Sequence, residues 1–318
     1  MTRNALTLFF RSAVVAALPL VSAACGSQRV ERPSPICDGG FYALDLTAGG
    51  CGAGGVGTIV EAVDGGLGDA GCAGKCAEGG LLLGCTEQRN GDCQPIVVCR
   101  VGCVGRAPAG LAPANARGNA HGRYFAEAAH MEAASVAAFR RLRAELHAFG
   151  APRALLDACT SAARDEARHA RSAARLARRF GSTPPSVRLS APRPRTAMEL
   201  AIENVREGCI GETFGALIAT WQLAVAADAQ IRAHLQSIIG DETRHAELAW
   251  AVEAWLGERL TSAERAHLAS VRLDELGRLA LALEPAADGE LRHDAGIPSP
   301  PVARALHRAF AAEVARRA

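Results

Sequence analysis

Aromatic side chains are scarce in this chain, 4% of 318 residues, which leaves little with which to stack nucleic-acid bases. Neither sign of charge dominates. The 35 basic and 33 acidic residues are interspersed and leave a formal net charge of +2, so there is no footprint for a nucleic-acid partner. No nucleotide, flavin or rubredoxin motif is legible, and so neither a substrate nor an electron donor can be read from the chain. Cys-x-x-Cys pairs are absent too: Cys72/Cys76 and Cys99/Cys103 are one residue wider, which disfavours a zinc ribbon or a rubredoxin-type iron site. The apolar run at 12–24, SAVVAALPLVSAA, is well short of the ~20 residues needed to span a bilayer.

That run, behind Arg3 and Arg11, instead reads as a secretory signal over 1–24. It ends in SAAC, the pattern of a bacterial lipoprotein signal, in which Cys25 would be lipidated and provide the only membrane attachment. Ordinary cleavage near Ala24 is the alternative, since Ser22 stands where such signals usually carry Leu. Export to the bacterial cell envelope, as a periplasmic or outer-membrane lipoprotein, or secretion is therefore expected. The segment 25–103 holds Cys37, Cys51, Cys72, Cys76, Cys85, Cys93, Cys99 and Cys103. An even count in a Gly-rich stretch of an exported chain reads as a disulfide framework, whose pairing the sequence leaves open. Residues 104–119, rich in Gly, Ala and Pro, read as a linker.

Beyond the linker the hydrophobic period is helical almost throughout. Helices are expected at about 120–148, 153–180, 196–226 and 229–257, the third opened by a Thr196/Glu199 capping box and the fourth capped by Asp228. Further helices at about 261–283 and 301–318 form a C-terminal extension over 258–318. Short links join the first to the second and the third to the fourth, while the proline-rich 15-residue stretch GSTPPSVRLSAPRPR joins the middle pair. Those lengths predict an all-α fold, a four-helix bundle over 120–257 with one long crossover.

Charges lie on the apolar faces of these helices. DEARHA at 165–170 and DETRHA at 241–246 each set a glutamate and a histidine one turn apart, Glu166 with His169 and Glu242 with His245. Both pairs share a stripe with Leu and Ala, where an unpaired charge costs several kcal/mol. Glu132 and Glu207 occupy matching stripes on the other two helices. Each precedes a phenylalanine by seven residues (Phe139, Phe214) and an Asp-Glu hexapeptide by 33 or 34, so the two halves read as repeats. Glu203 shares the Glu207 stripe. Glu212 falls about 140° from it on an ideal helix, and only a π-bulge in the glycine-bearing stretch EGCIGET would turn it inward; both are candidate extra ligands. Glu127 and His130 are expected on the surface, and Glu253 beside an arginine. Cys159 and Cys209 are expected either as a disulfide or as buried thiols.

One Glu on each of two helices and Glu-x-x-His on each of two others resembles the ferritin-like di-iron carboxylate superfamily, over about 140 of the 318 residues. The resemblance implies that Glu132 and Glu207 are carboxylate ligands, Glu166 and Glu242 bridging ligands, and His169 and His245 terminal ones. It implies two iron ions, with manganese also suited to the oxygen-rich set, and activation of O2 or peroxide by an oxidoreductase. The longer D-E-x-R-H motif is similar to that of bacterial multicomponent monooxygenases, which implies that Asp165 orients His245 and Asp241 orients His169. A metal-binding or ferroxidase-type protein without an organic substrate, or a surface interaction module, are the alternatives. The oligomeric state is not legible.

Overall fold

In a computed structural model the described residues are 1–19, the backbone of four strands between 42 and 101, and 106–112, 114, 116–281 (backbone only at 281) and 289–316. Cys25 and the side chains of the eight clustered cysteines lie outside them, as do the expected lipidation and disulfides. The fold from residue 120 on is all-helical among the described residues. Ahead of it, β1 (Tyr42–Ala43), β2 (Gly57–Ala62), β3 (Leu82–Asn90) and β4 (Pro95–Val101) form one sheet in the order β1-β3-β4-β2. The strands were not anticipated from the cysteine spacing. The β-branched runs Thr58-Ile59-Val60 and Ile96-Val97-Val98, which suit a pleated surface, are the signal that carried them.

Residues 1–24 were expected to stand outside the fold; of these, 1–19 are described, and their helix packs against it. Helix α1 (Arg3–Ala17) carries Leu6, Phe10, Ala13, Val14 and Ala17 on one face, all buried in the main core, and its Arg3 backbone N–H donates to Glu247 Oε1 at 3.0 Å. An apolar run spaced for secretion is also spaced for a helix, and a helix with one apolar side packs wherever a matching face is open.

Four long helices follow. α2 (Ala120–Ala148) starts at Asn119, whose side chain accepts from Gly122 N at 2.7 Å. It ends at Gly150, whose φ of 76° suits glycine, ahead of Pro152. α3 (Arg153–Arg179) stops at Gly181, again left-handed. α4 begins as Ala197–Glu203 behind the Thr196/Glu199 capping box, passes through a π-helical stretch over Asn204–Glu212, and resumes over Thr213–Val225. α5 (Ala229–Gly257) is capped by Asp228, which accepts from Gln230 N and Ile231 N. α6 (Ser262–Leu281), α7 (Gly289–Ala295) and α8 (Pro300–Ala315) complete the chain. The core runs through Phe139, Leu142, Leu146, Leu200, Ile210, Leu217, Trp221, Val252 and Leu256, each at most 2% exposed and each contributing roughly 1.5–3 kcal/mol by burial.

The expected linker is not a free tether. Its end lies along the crossover between α3 and α4: Ala112 N donates to Arg188 O at 3.0 Å and Ser190 N to Gly110 O at 3.0 Å. The crossover also covers α2, where His130 Nδ1 lies 3.2 Å from Pro185 O. This cover corrects the surface expectation for His130, which is 1% exposed; Glu127 is buried as well.

Candidate metal centre

Glu132 of α2, Glu166 and His169 of α3, and Glu242 of α5 form one group of buried side chains. Glu166, Glu212 of α4, Glu242 and His245 form a second. In each group one ligand atom per residue lies within 4.8 Å of all the others, the span of donors arranged around a single ion at ~2.1 Å. Glu166 and Glu242 belong to both, so the groups share two carboxylates. All six residues are at most 6% exposed.

Glu212 was only a candidate extra ligand, and Glu207 an expected principal one; the structure brings Glu212 into the second group and leaves Glu207 outside both. The cause is the π-helical stretch. Widening the turn from four residues to five puts Glu212 one turn beyond Glu207 on the inward side, instead of about 140° away. Glu207 is equally buried, but its Oε2 accepts from the backbone N of Ala107 at 3.0 Å and it joins neither group. Glu203 joins neither as well; it pairs with Arg195. Glu253 pairs with Arg272, as expected. Cys159 and Cys209 are free buried thiols, so the disulfide between them does not form.

The histidines face the groups through Nδ1. His169 Nδ1 lies 2.9 Å from Glu242 Oε1 and 3.6 Å from Glu132 Oε2; His245 Nδ1 lies 2.9 Å from Glu166 Oε1 and 3.8 Å from Glu242 Oε2. These close approaches lack hydrogen-bond geometry. Glu132 Oε2, both oxygens of Glu166 and of Glu212, Glu242 Oε1 and both Nδ1 atoms have no hydrogen-bond partner. So many converging orphans are unstable unless something else satisfies them. The far side of each ring meets an aspartate of the opposite hexapeptide: His169 Nε2 is 3.1 Å from Asp241 Oδ2, and His245 Nε2 is 3.5 Å from Asp165 Oδ2. At His169 this contact is a hydrogen bond, and a proton held there leaves the Nδ1 lone pair for the centre; the longer His245 contact lacks hydrogen-bond geometry.

The arginines of the two hexapeptides lock those aspartates, a role sequence reading did not assign. Arg168 reaches Asp165 at 2.6 Å and Asp241 at 2.9 Å, while Arg244 reaches Asp165 at 3.2 Å and also binds Asp241. The pseudo-twofold repeat supplies both halves of this ring. Phe139, one of the two repeated phenylalanines, packs 5.1 Å from His245 and helps to keep water out.

Arg106 was also missed, because nothing local marks a linker arginine as buried. It is 1% exposed, donates to Asn204 Oδ1 at 2.8 Å and lies 5.7 Å from the centre of the Phe139 ring. Gly208 makes room for it, since a Cβ there would sit 3.3 Å from Arg106 Nη2 and 2.6 Å from Ala249 Cβ.

The chain matches no family model, no curated protein and no solved structure.

Protonation follows from crowding four carboxylates into a dry space. Burial, reinforced by Glu132, pushes Glu166 well above the usual carboxylate range; burial and the charge of Glu242 push Glu212 up to about 8. Burial opposes the charging of His169, but Glu132 and Glu242 outweigh it and raise it to about 11. His245 is likewise raised, by Asp165, Glu166 and Glu242 against its burial. Glu242 is held below the usual range, because the two imidazoles overcome its burial. Protons thus stand in for positive charge that the cluster requires. Divalent ions fit this donor set: the four negative charges of Glu132, Glu166, Glu212 and Glu242 balance two such ions, with neutral imidazoles completing the groups.

Proposed function

We propose that the chain is a ferritin-like protein that holds two divalent metal ions, iron or manganese, and acts as an oxidoreductase on O2 or peroxide. The observation that carries the reading is the pair of buried groups sharing Glu166 and Glu242. Glu166 and Glu242, common to both groups, would be shared by the two ions, with His169 and Glu132 holding one and His245 and Glu212 the other. A pair of iron ions at such a centre supplies the two electrons that reduction of dioxygen or peroxide requires. Asp165 and Asp241 keep the imidazoles in the tautomer that presents Nδ1. Phe139 packs its ring against His245.

Support also comes from the orphaned ligand atoms, which ordinary core packing would not tolerate in such number. Export to the cell envelope rests on the sequence of 1–24 alone, with lipidation at Cys25 or ordinary cleavage near Ala24 as its two forms. Metal analysis of the purified protein tests the central reading: about two iron or manganese ions per chain are expected, falling to nearly none in Glu166→Ala. A wild-type chain that takes up neither Fe(II) nor Mn(II) refutes it. Mixing the anaerobic Fe(II) protein with oxygen, then measuring oxygen consumption with and without candidate organic substrates, separates an oxygenase from a ferroxidase.

A further inference from the structure

A second feature lies on the outer side of the α2–α3 hairpin and is independent of the metal reading. A groove of about 380 Å3 runs between the two helices, lined by Arg140 and Arg143 of α2 and by Cys159, Thr160, Ala163, Arg164 and Ala167 of α3. The three arginines come from adjacent turns of two packed helices and project into the same space. Among the described residues none of them has a carboxylate within 4 Å or a hydrogen-bond acceptor, and no acidic side chain lines the groove. Nearby arginines behave differently: Arg141 and Arg195 pair with Glu145, Arg153 with Asp157, and Arg168 with Asp165 and Asp241. The acids of this region are therefore already engaged. The Thr160 hydroxyl is engaged as well, donating to Leu156 O at 3.0 Å.

Three guanidinium groups around one groove repel one another unless an anion lies between them. Guanidinium matches the oxygens of phosphate or carboxylate through paired N–H donors. Three such groups with no acid among them suit a dianion better than a single carboxylate. A phosphomonoester carries a charge of about −1.5 to −2 at neutral pH and offers three acceptor oxygens. The floor of Ala163, Ala167 and the buried Cys159 gives an organic body attached to that phosphate an apolar surface. The volume is at the lower end of small-molecule sites.

We propose that the groove framed by Arg140, Arg143 and Arg164 binds a phosphomonoester group. The phosphate comes either from a small soluble molecule or from a lipid headgroup, and one pair of measurements distinguishes the two. Calorimetric titration of the purified protein with glycerol 3-phosphate is expected to give one saturable site per chain, with sodium acetate competing only weakly. Co-sedimentation with phosphatidylcholine vesicles, with and without phosphatidate, tests the lipid source. In the Arg143→Gln/Arg164→Gln double variant, affinity for whichever probe binds is expected to fall at least tenfold. Metal content and circular dichroism should stay at wild-type values, which separates loss of this site from loss of the metal centre or the fold. Binding of glycerol 3-phosphate marks a soluble ligand, and binding of phosphatidate vesicles alone marks a lipid. The proposal is overturned if neither probe binds, if the double variant binds as well as wild type, or if acetate competes as strongly as phosphate.

Discussion

Replacing Glu212 with glutamine is expected to move the stability of the metal-free and metal-loaded protein in opposite directions. In the folded, metal-free chain Glu212 is fully enclosed and its pKa stands at about 8, against an ordinary value of 4.5. The raised folded-state value means that folding favours the protonated acid. The cost of keeping this side chain inside is absent below about pH 4, grows as pH passes the unfolded value, and levels off above the folded one. From pH 4.5 to 7 it accumulates at ~1.4 kcal/mol per pH unit, to about 3 kcal/mol at neutrality. Glutamine has the shape of the protonated acid and never ionises. Metal-free Glu212→Gln should therefore melt roughly 5–10 °C above wild type at pH 7 and at the wild-type temperature at pH 4. With metal present the order reverses, because one group loses a charged ligand: the variant should hold about one ion per chain and gain less from metal addition. Glu207→Gln is the control. It also removes a buried acid, but one turned to Ala107, and it should keep both ions. Thermal melts at the two pH values, with metal analysis of the same samples, provide the test. Equal metal content in the Glu212 and wild-type proteins, or loss of an ion in the Glu207 variant, would refute the placement of Glu212 at the centre.

Asp241→Asn should weaken the ion bound beside His169 about 10–100-fold, the usual consequence of loosening a ligand's orienting partner, as read by competition with a chelator. Metal affinity should rise from pH 6 to pH 8, because His169, at about 11, and Glu212, at about 8, must release protons to bind; a pH-independent affinity would contradict those protonation states. Gly208→Ala should cost about 1–3 kcal/mol in denaturant unfolding, since its methyl would meet Ala249 Cβ at 2.6 Å. In the unprocessed chain Phe10→Ala should cost about 3–5 kcal/mol, because its ring is 2% exposed in the core; no change would mean that α1 is not seated there.

The inward glutamates and histidines were legible because helical periodicity is a local property. Glu166, His169, Glu242 and His245 fall on apolar stripes whatever the helices pack against, and burial of a charge at such a position demands a partner. Helix starts were legible for the same reason, since Thr196 and Asp228 cap through hydrogen bonds that span only two or three residues. Hidden from sequence was anything that depended on the phase of a distorted helix or on contact between distant segments. An ideal helix aims Glu207 inward and Glu212 away. The nine-residue π stretch changes that phase, and two glycines in EGCIGET were only a hint of it. Arg106 and His130 are buried by the 106–112 arm and the 182–195 crossover, which meet them only after the chain has folded back.

The sequence by itself therefore determined which residue types face inward, and so the chemistry available: carboxylates and imidazoles in a repeated pattern. Tertiary structure alone decided which fourth glutamate joins Glu132, Glu166 and Glu242. That choice depends on the rotation of α4 about its own axis. One added residue in a turn shifts that rotation by about 100°, and within the shifted stretch Gly208 lies so close to Ala249 and Arg106 that no side chain would fit there.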